Sequence, residues 1–183
     1  ADAIGFLGDI PSLREMMKAV TLDIASRQCP GDVELYYLCG AEFEPQMTAF
    51  RLLPHVQGGD GRGRAIAQDA QSRDRIIEAL YKRFAQREAN GDALAGAPWM
   101  VLFIHGDDDV MQHPLMRYIP HAARLHAVFL FWAQHRERLP LGCKYTVKLF
   151  SNAHGGLLLD MFNREDDRLF DYEAIDNARM AWV

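Results

Sequence analysis

Apolar residues in this chain fall into short runs separated by longer stretches of mixed polarity. Runs of five to seven residues without polar alternation are typical of strands that are buried on both faces of a parallel sheet. The flanking segments carry glycine, proline and charged residues, which indicate turns and helix ends. The predicted buried strands are residues 3–7, 33–39, 99–104 and 128–133.

Amphipathic segments lie between these runs and predict helices. Residues 8–12 are interpreted as a loop, after which Ser12 is the expected N-cap of the first helix and Glu15 completes a capping box. Pro120 is expected to kink the third helix. The predicted helices are residues 13–28, 69–88 and 114–125.

Further short strands are predicted at residues 146–150, 157–161 and 169–175. Helices alternate with strands early in the chain, and strands cluster late. This order predicts an α/β fold with a mainly parallel sheet flanked by helices and antiparallel strands toward the C-terminus. The 183 residues suit a single domain spanning 1–183. Because an apolar strand begins almost at the first residue, we expect the chain to be a fragment of a longer polypeptide.

Composition narrows the class of partner and the cellular setting. The formal net charge is −5, from 20 Lys and Arg against 25 Asp and Glu, whereas a surface that follows phosphates usually has a basic excess. We therefore expect no nucleic acid partner. The three cysteines, Cys29, Cys39 and Cys143, form no C-x-x-C pair, so zinc is not expected and a reduced, cytosolic setting fits best.

The turn after the first strand occupies the place of a phosphate-binding loop, whose signature is G-x-x-x-x-G-K-[ST]. Gly8 matches the first glycine, but Leu13 replaces the second glycine, Arg14 the lysine and Glu15 the hydroxyl residue that would hold Mg²⁺. Pro11 also removes one amide donor from the loop. The simpler interpretation is a strand–turn–helix junction with a good cap.

The strand at residues 99–104 should end in the acidic residue that holds Mg²⁺ through water. His105 stands there instead, and Asp107 and Asp108 follow two and three residues later, where a carboxylate can still face the crevice. Together with Asp109 and His113 these residues form a His/Asp cluster. A run of this kind rarely converges on a metal unaided, so no metal site is predicted.

The ordered set of motifs carries a family likeness. It comprises residues 29–37 (Cys-Pro-Gly-Asp-Val-Glu-Leu-Tyr-Tyr), the turn 53–56 (Leu-Pro-His-Val), the strand ending near Asp108, and residues 133–136 (Ala-Gln-His-Arg). In this order they resemble the FtsK/SpoIIIE family of P-loop ATPases, in particular the EssC branch of type VII secretion coupling proteins. The resemblance implies a RecA-like fold that binds ATP and Mg²⁺ in the family, with weak or absent binding here. The positions equivalent to a nucleotide site are Gly8, Ser12, Arg14, Glu15, Asp108, Gln134 and Arg136.

Three functions remain open on the sequence alone. The first is a degenerate ATPase module of a type VII secretion coupling protein, acting in substrate recognition or assembly rather than efficient ATP hydrolysis. The alternative is an active FtsK-like motor domain that drives protein export, and the third is an unrelated α/β hydrolase or transferase. Whether the chain is an enzyme is left undecided.

The resemblance also implies partners and a location. The expected partners are neighbouring ATPase modules of the same chain and small helical secreted proteins, with a hexamer of the full-length protein. The expected location is the cytoplasmic side of a membrane-anchored protein at the bacterial cell membrane. Residues 114–125 carry more apolar side chains than one buried stripe needs, so an exposed partner-binding patch is expected at Met116, Tyr118 and Ile119.

Overall fold

One seven-stranded sheet organises the chain. The computed structural model describes residues 3–57, 63–91, 94–106, 108–151, 153–163 and 167–175. The strand order across the sheet is β2-β3-β4-β1-β5-β6-β7. The strands are β1 (Ala3–Leu7), β2 (Val33–Leu38), β3 (Trp99–His105), β4 (Ala127–Ala133), β5 (Tyr145–Leu149), β6 (Gly155–Asp160) and β7 (Arg168–Asp171).

Strand direction divides the sheet into two parts. The pairs β2–β3, β3–β4, β4–β1 and β1–β5 are parallel, whereas β5–β6 and β6–β7 are antiparallel. All four predicted buried strands lie in this sheet, so the predicted fold class is confirmed. The late strands begin and end within a few residues of their predicted positions.

Helices cover both faces of the sheet. On one face, Thr21 of helix α1 (Ile10–Arg27) shares a 2.9 Å hydrogen bond with the hydroxyl of Tyr37 on β2. On the other, Phe84 of helix α3 (Ala70–Asn90) stacks on Phe129 of β4 with 5.8 Å between ring centroids. The α-helices are α1 (Ile10–Arg27), α2 (Glu44–Phe50), α3 (Ala70–Asn90) and α4 (Asp108–Gln112), and the 3₁₀ helices are Ala41–Phe43, Pro114–His121, Ala123–Leu125 and Arg136–Arg138.

A row of aromatic rings crosses the α1 face of the sheet. Phe6 stacks on Trp132 at 4.1 Å, Trp132 lies 5.9 Å from Phe103, and Phe103 lies 4.5 Å from Tyr37. These rings belong to β1, β4, β3 and β2 and are buried. Burial of such large rings is a main source of stability in a domain of this size.

The start of the first helix differs from the prediction. Helix α1 begins at Ile10, and its N-cap is Asp9, whose side chain accepts a hydrogen bond from the Ser12 amide. The predicted N-cap at Ser12 and capping box with Glu15 are therefore wrong. Pro11 is part of the first turn, where a missing amide hydrogen costs nothing because that amide has no intrahelical partner.

The segment 114–125 is not the kinked α-helix that was predicted. It forms the two 3₁₀ helices Pro114–His121 and Ala123–Leu125, and side chains three residues apart share one face of a 3₁₀ helix. Leu115 and Tyr118 consequently both face the core. Tyr118 is 1% exposed and Ile119 is 8% exposed, while Met116 is half-buried. The expected exposed patch is therefore wrong, because its two largest members are core residues.

Candidate functional site

The crevice where the resemblance leads us to expect a nucleotide site lies at the carboxyl ends of β1 and β4, which are parallel neighbours. The Gly8 amide donates to the Ala133 carbonyl at 3.3 Å and joins the two strand ends. From β1 the chain enters α1 on one face of the sheet. From β4 it passes over the other face, where Leu139 lies against Gly5. Open α/β sheets bind ligands where the connections diverge in this way.

The N-terminus of α1 is closed by the chain's own carboxylate. Asp9 Oδ1 accepts a hydrogen bond from the Ser12 amide at 2.8 Å. The Ser12 amide first, and then the hydroxyls of Ser12 and Ser151, lower the pKa of Asp9 below its ordinary value. Free first-turn amides are the groups that bind phosphate at a helix N-terminus. Here one is held by a carboxylate, and Pro11 supplies none.

Leu13 and Ser12 are parts of the protein interior. Leu13 is fully buried, and its amide donates to the Asp9 carbonyl at 2.9 Å. The hydroxyl of Ser12, a residue that is 8% exposed, donates to the Phe150 carbonyl at 3.3 Å. The Leu13 amide is therefore engaged within the helix and the Ser12 hydroxyl with Phe150, so neither group is available to donate to a phosphate.

Arg14 and Glu15 are engaged away from the crevice. Arg14 Nε donates to the backbone carbonyl of Glu42 at 2.6 Å. Glu15 forms an ion pair with Lys18, one turn along α1, at 2.6 Å. Neither side chain reproduces the lysine or the hydroxyl residue of a phosphate-binding loop.

A C-terminal segment, residues 168–175, is called the strap and meets α1 at Lys18. The Lys18 ammonium donates to the Ile175 carbonyl at 3.2 Å. Burial raises the pKa of Tyr172, and the nearby carboxylates of Glu15 and Asp9 raise it further. The strap thus brings a phenol ring to the side of the crevice where a ligand would approach α1.

The last residue of β3 is His105, and it packs against an aromatic ring. His105 packs against Phe43 with 4.8 Å between ring centroids, and burial lowers its pKa despite the opposing charge of Glu42. Asp108 begins α4, and Asp107 lies outside the described residues. His105 therefore contributes a neutral, half-buried ring and no charge of the kind that holds Mg²⁺.

The two polar residues after β4 are separated from each other. Gln134 is exposed beside the crevice, directly after Ala133. Arg136 instead donates to the hydroxyl of Thr146 at 3.2 Å, and Thr146 pairs with Gly5 in the middle of β1. Arg136 therefore binds the sheet face rather than the strand ends.

A second cleft of about 520 Å³ opens at the carboxyl ends of β2 and β3. Its walls include Glu42, Arg73, His105 and Asp109, and Arg73 pairs with Asp109 at 3.2 Å. Burial strongly raises the pKa of the Cys39 thiol in this cleft, so the sulfur is not a nucleophile at neutral pH. Among the residues that the structure describes, no three His, Cys, Asp or Glu side chains converge as metal ligands.

Sequence reasoning missed the two features that close the crevice. Asp9 had a local signal, since the spacing Asp9-x-x-Ser12 recurs as Asp69-x-x-Ser72, where Asp69 caps α3 in the same way. Tyr172 had none, because its position depends on pairing between distant strands.

Over the described part of the chain, no helix combines the length and the apolar character that crossing a membrane requires.

The architecture is a RecA-like α/β fold, and solved structures of type VII secretion ATPases share it. EssC (ATPases 2 and 3) from Geobacillus thermodenitrificans matches with a TM-score of 0.69 at 12% identity, over 99% of this chain and 42% of that one. The cytoplasmic domain of the type VII secretion ATPase EccC from Thermomonospora curvata matches with a TM-score of 0.65 at 12% identity, over 97% and 26%. Another cytoplasmic domain of EssC gives 0.65 at 14% identity, over 98% and 42%.

These likenesses establish the fold and agree with the resemblance read from the sequence. The chain spans less than half the length of each of these three structures. No family model matches the chain, and no curated protein matches it in sequence. Activity, substrates and partners are therefore matters of proposal.

Proposed function

We propose that this chain is an ATPase-like module of a type VII secretion coupling protein that acts in substrate recognition or assembly and does not hydrolyse ATP efficiently. The observation that carries the proposal is the α1 N-terminus, where the Asp9 carboxylate holds the Ser12 amide at 2.8 Å. The fold shared with EssC and EccC domains supports the setting.

The arrangement of charge supports weak nucleotide binding. A triphosphate at the α1 N-terminus would meet the Asp9 carboxylate at the helix end. Repulsion between like charges costs about 4 kcal/mol at 4 Å near a protein surface. The two arginines that could bind the phosphates are engaged elsewhere. Arg14 donates to the Glu42 carbonyl, and Arg136 donates to the Thr146 hydroxyl.

Calorimetric titration of the chain with Mg-ATP tests this step. We expect a dissociation constant weaker than about 1 mM, which corresponds to less than roughly 4 kcal/mol of binding free energy. The same titration with ADP and with inorganic phosphate separates a lost phosphate site from a lost base site. Micromolar Mg-ATP binding, or hydrolysis that depends on Mg²⁺, would instead favour the active motor domain.

The proposed partners are neighbouring ATPase modules of the same polypeptide and small helical secreted proteins, within a hexamer at the bacterial cell membrane. A module without nucleotide turnover contributes through its surface. Deleting residues 1–183 from the full-length protein should abolish export or oligomer assembly and leave ATP hydrolysis by the remaining modules. Normal export and assembly after the deletion would contradict this role.

A further inference from the structure

Among the residues that the structure describes, the C-terminal strap contacts the rest of the molecule through β6, through the half-buried rings of Phe170 and Tyr172, and through the Ile175 carbonyl. Its first half, β7, is the edge strand of the described sheet and pairs with β6. Beyond β7, the Tyr172 amide donates to the His154 carbonyl at 2.8 Å, and the Ile175 carbonyl accepts from Lys18 at 3.2 Å. The other side of the strap is in solvent, with Leu169 75% exposed. Segments with few buried contacts open at low free-energy cost.

Two glycines in β6 allow the strap to lie close to that strand. A Cβ atom on Gly155 would stand 2.9 Å from the Phe170 carbonyl oxygen and 2.6 Å from Asp171 Oδ1. A Cβ atom on Gly156 would stand 3.0 Å from the Phe170 ring, as well as 2.6 Å from the Lys148 carbonyl of β5. Glycine within a strand often marks such close approach of another segment. The three atoms nearest to a Cβ atom on Gly155 all belong to the strap.

Of the two buried polar groups at the strap, Lys18 is paired and the Tyr172 hydroxyl is not. Lys18 is 6% exposed, and its partners are Glu15 and the Ile175 carbonyl. Lysine is seldom so buried unless it is paired. The Tyr172 hydroxyl is buried and has no hydrogen-bond partner within the part of the chain that the structure describes. An unpaired buried hydroxyl opposes docking, which favours an opening equilibrium.

We propose that residues 168–175 are a strap that opens locally, as a unit, and controls access to Lys18 of α1 and to the outer edge of β6. The closed strap keeps other molecules from this surface, and the open strap exposes Lys18 and an unpaired strand edge. The strap would regulate the crevice of the proposed function, and the identity of any molecule that enters it rests on that function. The opening itself does not depend on it.

Acetylation of lysine amines, followed by mass spectrometry, measures the opening. Lys18 becomes reactive only when the strap leaves, whereas the side chain of Lys82 is 68% exposed and serves as the internal reference. In the unmodified chain, Lys18 should react at least about tenfold more slowly than Lys82, as expected for a group protected by local structure.

Two Gly→Ala variants form a matched pair. Gly155→Ala should lift the strap and raise the Lys18 rate roughly tenfold relative to Lys82. Gly31→Ala has no atom within 4 Å of the added methyl group and should leave the Lys18 rate unchanged. Equal Lys18 rates in the two variants would overturn the proposal, because the strap would then not control access to Lys18.

A second measurement keeps the test decisive if Gly155→Ala does not fold. In the unmodified chain at low urea, the Lys18 rate should depend on urea less steeply than amide exchange in buried β3, because local opening exposes less surface than global unfolding. Identical urea dependence would show that Lys18 is exposed only by global unfolding, against the proposal. If folded Gly155→Ala binds Mg-ATP, the proposed loss of the nucleotide site is wrong, whereas the proposal that the strap opens is not affected.

Discussion

Replacement of Tyr118 by alanine tests whether the segment 114–125 belongs to the core. The Tyr118 ring is 1% exposed and stacks on Phe84 with 5.1 Å between centroids and 16° between planes. Its hydroxyl accepts a hydrogen bond from Arg117 at 2.7 Å. The Tyr118→Ala substitution removes the ring, leaves a cavity beside α3 and removes one acceptor from Arg117, which keeps its contact with Glu88 at 3.3 Å.

The expected loss is large in proportion to total stability. Replacing a buried aromatic residue by alanine costs about 3–5 kcal/mol, against a total of roughly 5–15 kcal/mol for a native domain. For a chain of this length each kcal/mol lowers Tm by about 2–4 °C. Tyr118→Ala should therefore lower Tm by roughly 6–20 °C.

Thermal and urea unfolding, followed by circular dichroism, measure this loss. Tyr118→Phe keeps the ring and removes only the hydrogen bond, so it should cost about 1 kcal/mol. Leu141→Ala alters a residue that is 98% exposed and should stay within about 0.5 kcal/mol of the parent. If Tyr118→Ala is as stable as Leu141→Ala, Tyr118 is not a core residue, and a docking role for this segment regains support.

Three further outcomes follow from contacts around the crevice. Asp9→Ala should cost about 1 kcal/mol as a lost cap, and Asp69→Ala, at the matching cap of α3, should also be destabilising. The pKa of Asp9 is lowered in the folded state, so the stability that its carboxylate contributes is fully present above the ordinary pKa of 3.8 and is lost as pH falls through the folded-state pKa. The parent and Asp9→Ala should therefore become equally stable in strong acid. A stability difference that stays constant down to about pH 2 would argue against this. Burial lowers the pKa of His105, so its ring should titrate below 6.5 by NMR, and a midpoint above 6.5 would mean that the ring is solvated or paired with a charge. A methyl group on Gly5 would stand 2.6 Å from Leu139 Cδ1, so Gly5→Ala should be destabilising in the parent and less so in Leu139→Ala; strictly additive effects would exclude the contact.

The sheet could be predicted from the sequence because its strands leave a direct trace. Residues on β3 and β4 are buried on both faces, so their sequences are unbroken apolar runs. The helix boundary at Asp9 was missed although the same spacing at Asp69 marks a cap. Periodicity also failed at residues 114–125, because prolines replace amide donors there and a three-residue repeat over one short segment resembles an α-helical one.

The crevice was predictable only where its contacts are local. The substitutions at Leu13, Arg14 and Glu15 are visible in the sequence and predict a poor phosphate site. The contact between Lys18 and Ile175 joins residues 157 positions apart, and no periodicity or motif reports such a pair. The position of Arg136 likewise depends on the register between β1 and β5, which sets Thr146 beside Gly5.

The departures from a phosphate-binding loop are also parts of the fold. Leu13 is fully buried in the core, and truncating a buried leucine costs about 2–5 kcal/mol, with about 1 kcal/mol more for glycine within a helix. Removing the Asp9 cap would cost about 1 kcal/mol. Restoring the glycine and the free amides together would therefore remove roughly 4–7 kcal/mol, a large share of the 5–15 kcal/mol that holds a domain folded. Local substitutions that rebuild a phosphate-binding loop in this crevice would lose much of the stability, since Leu13 packs α1 and Asp9 caps it.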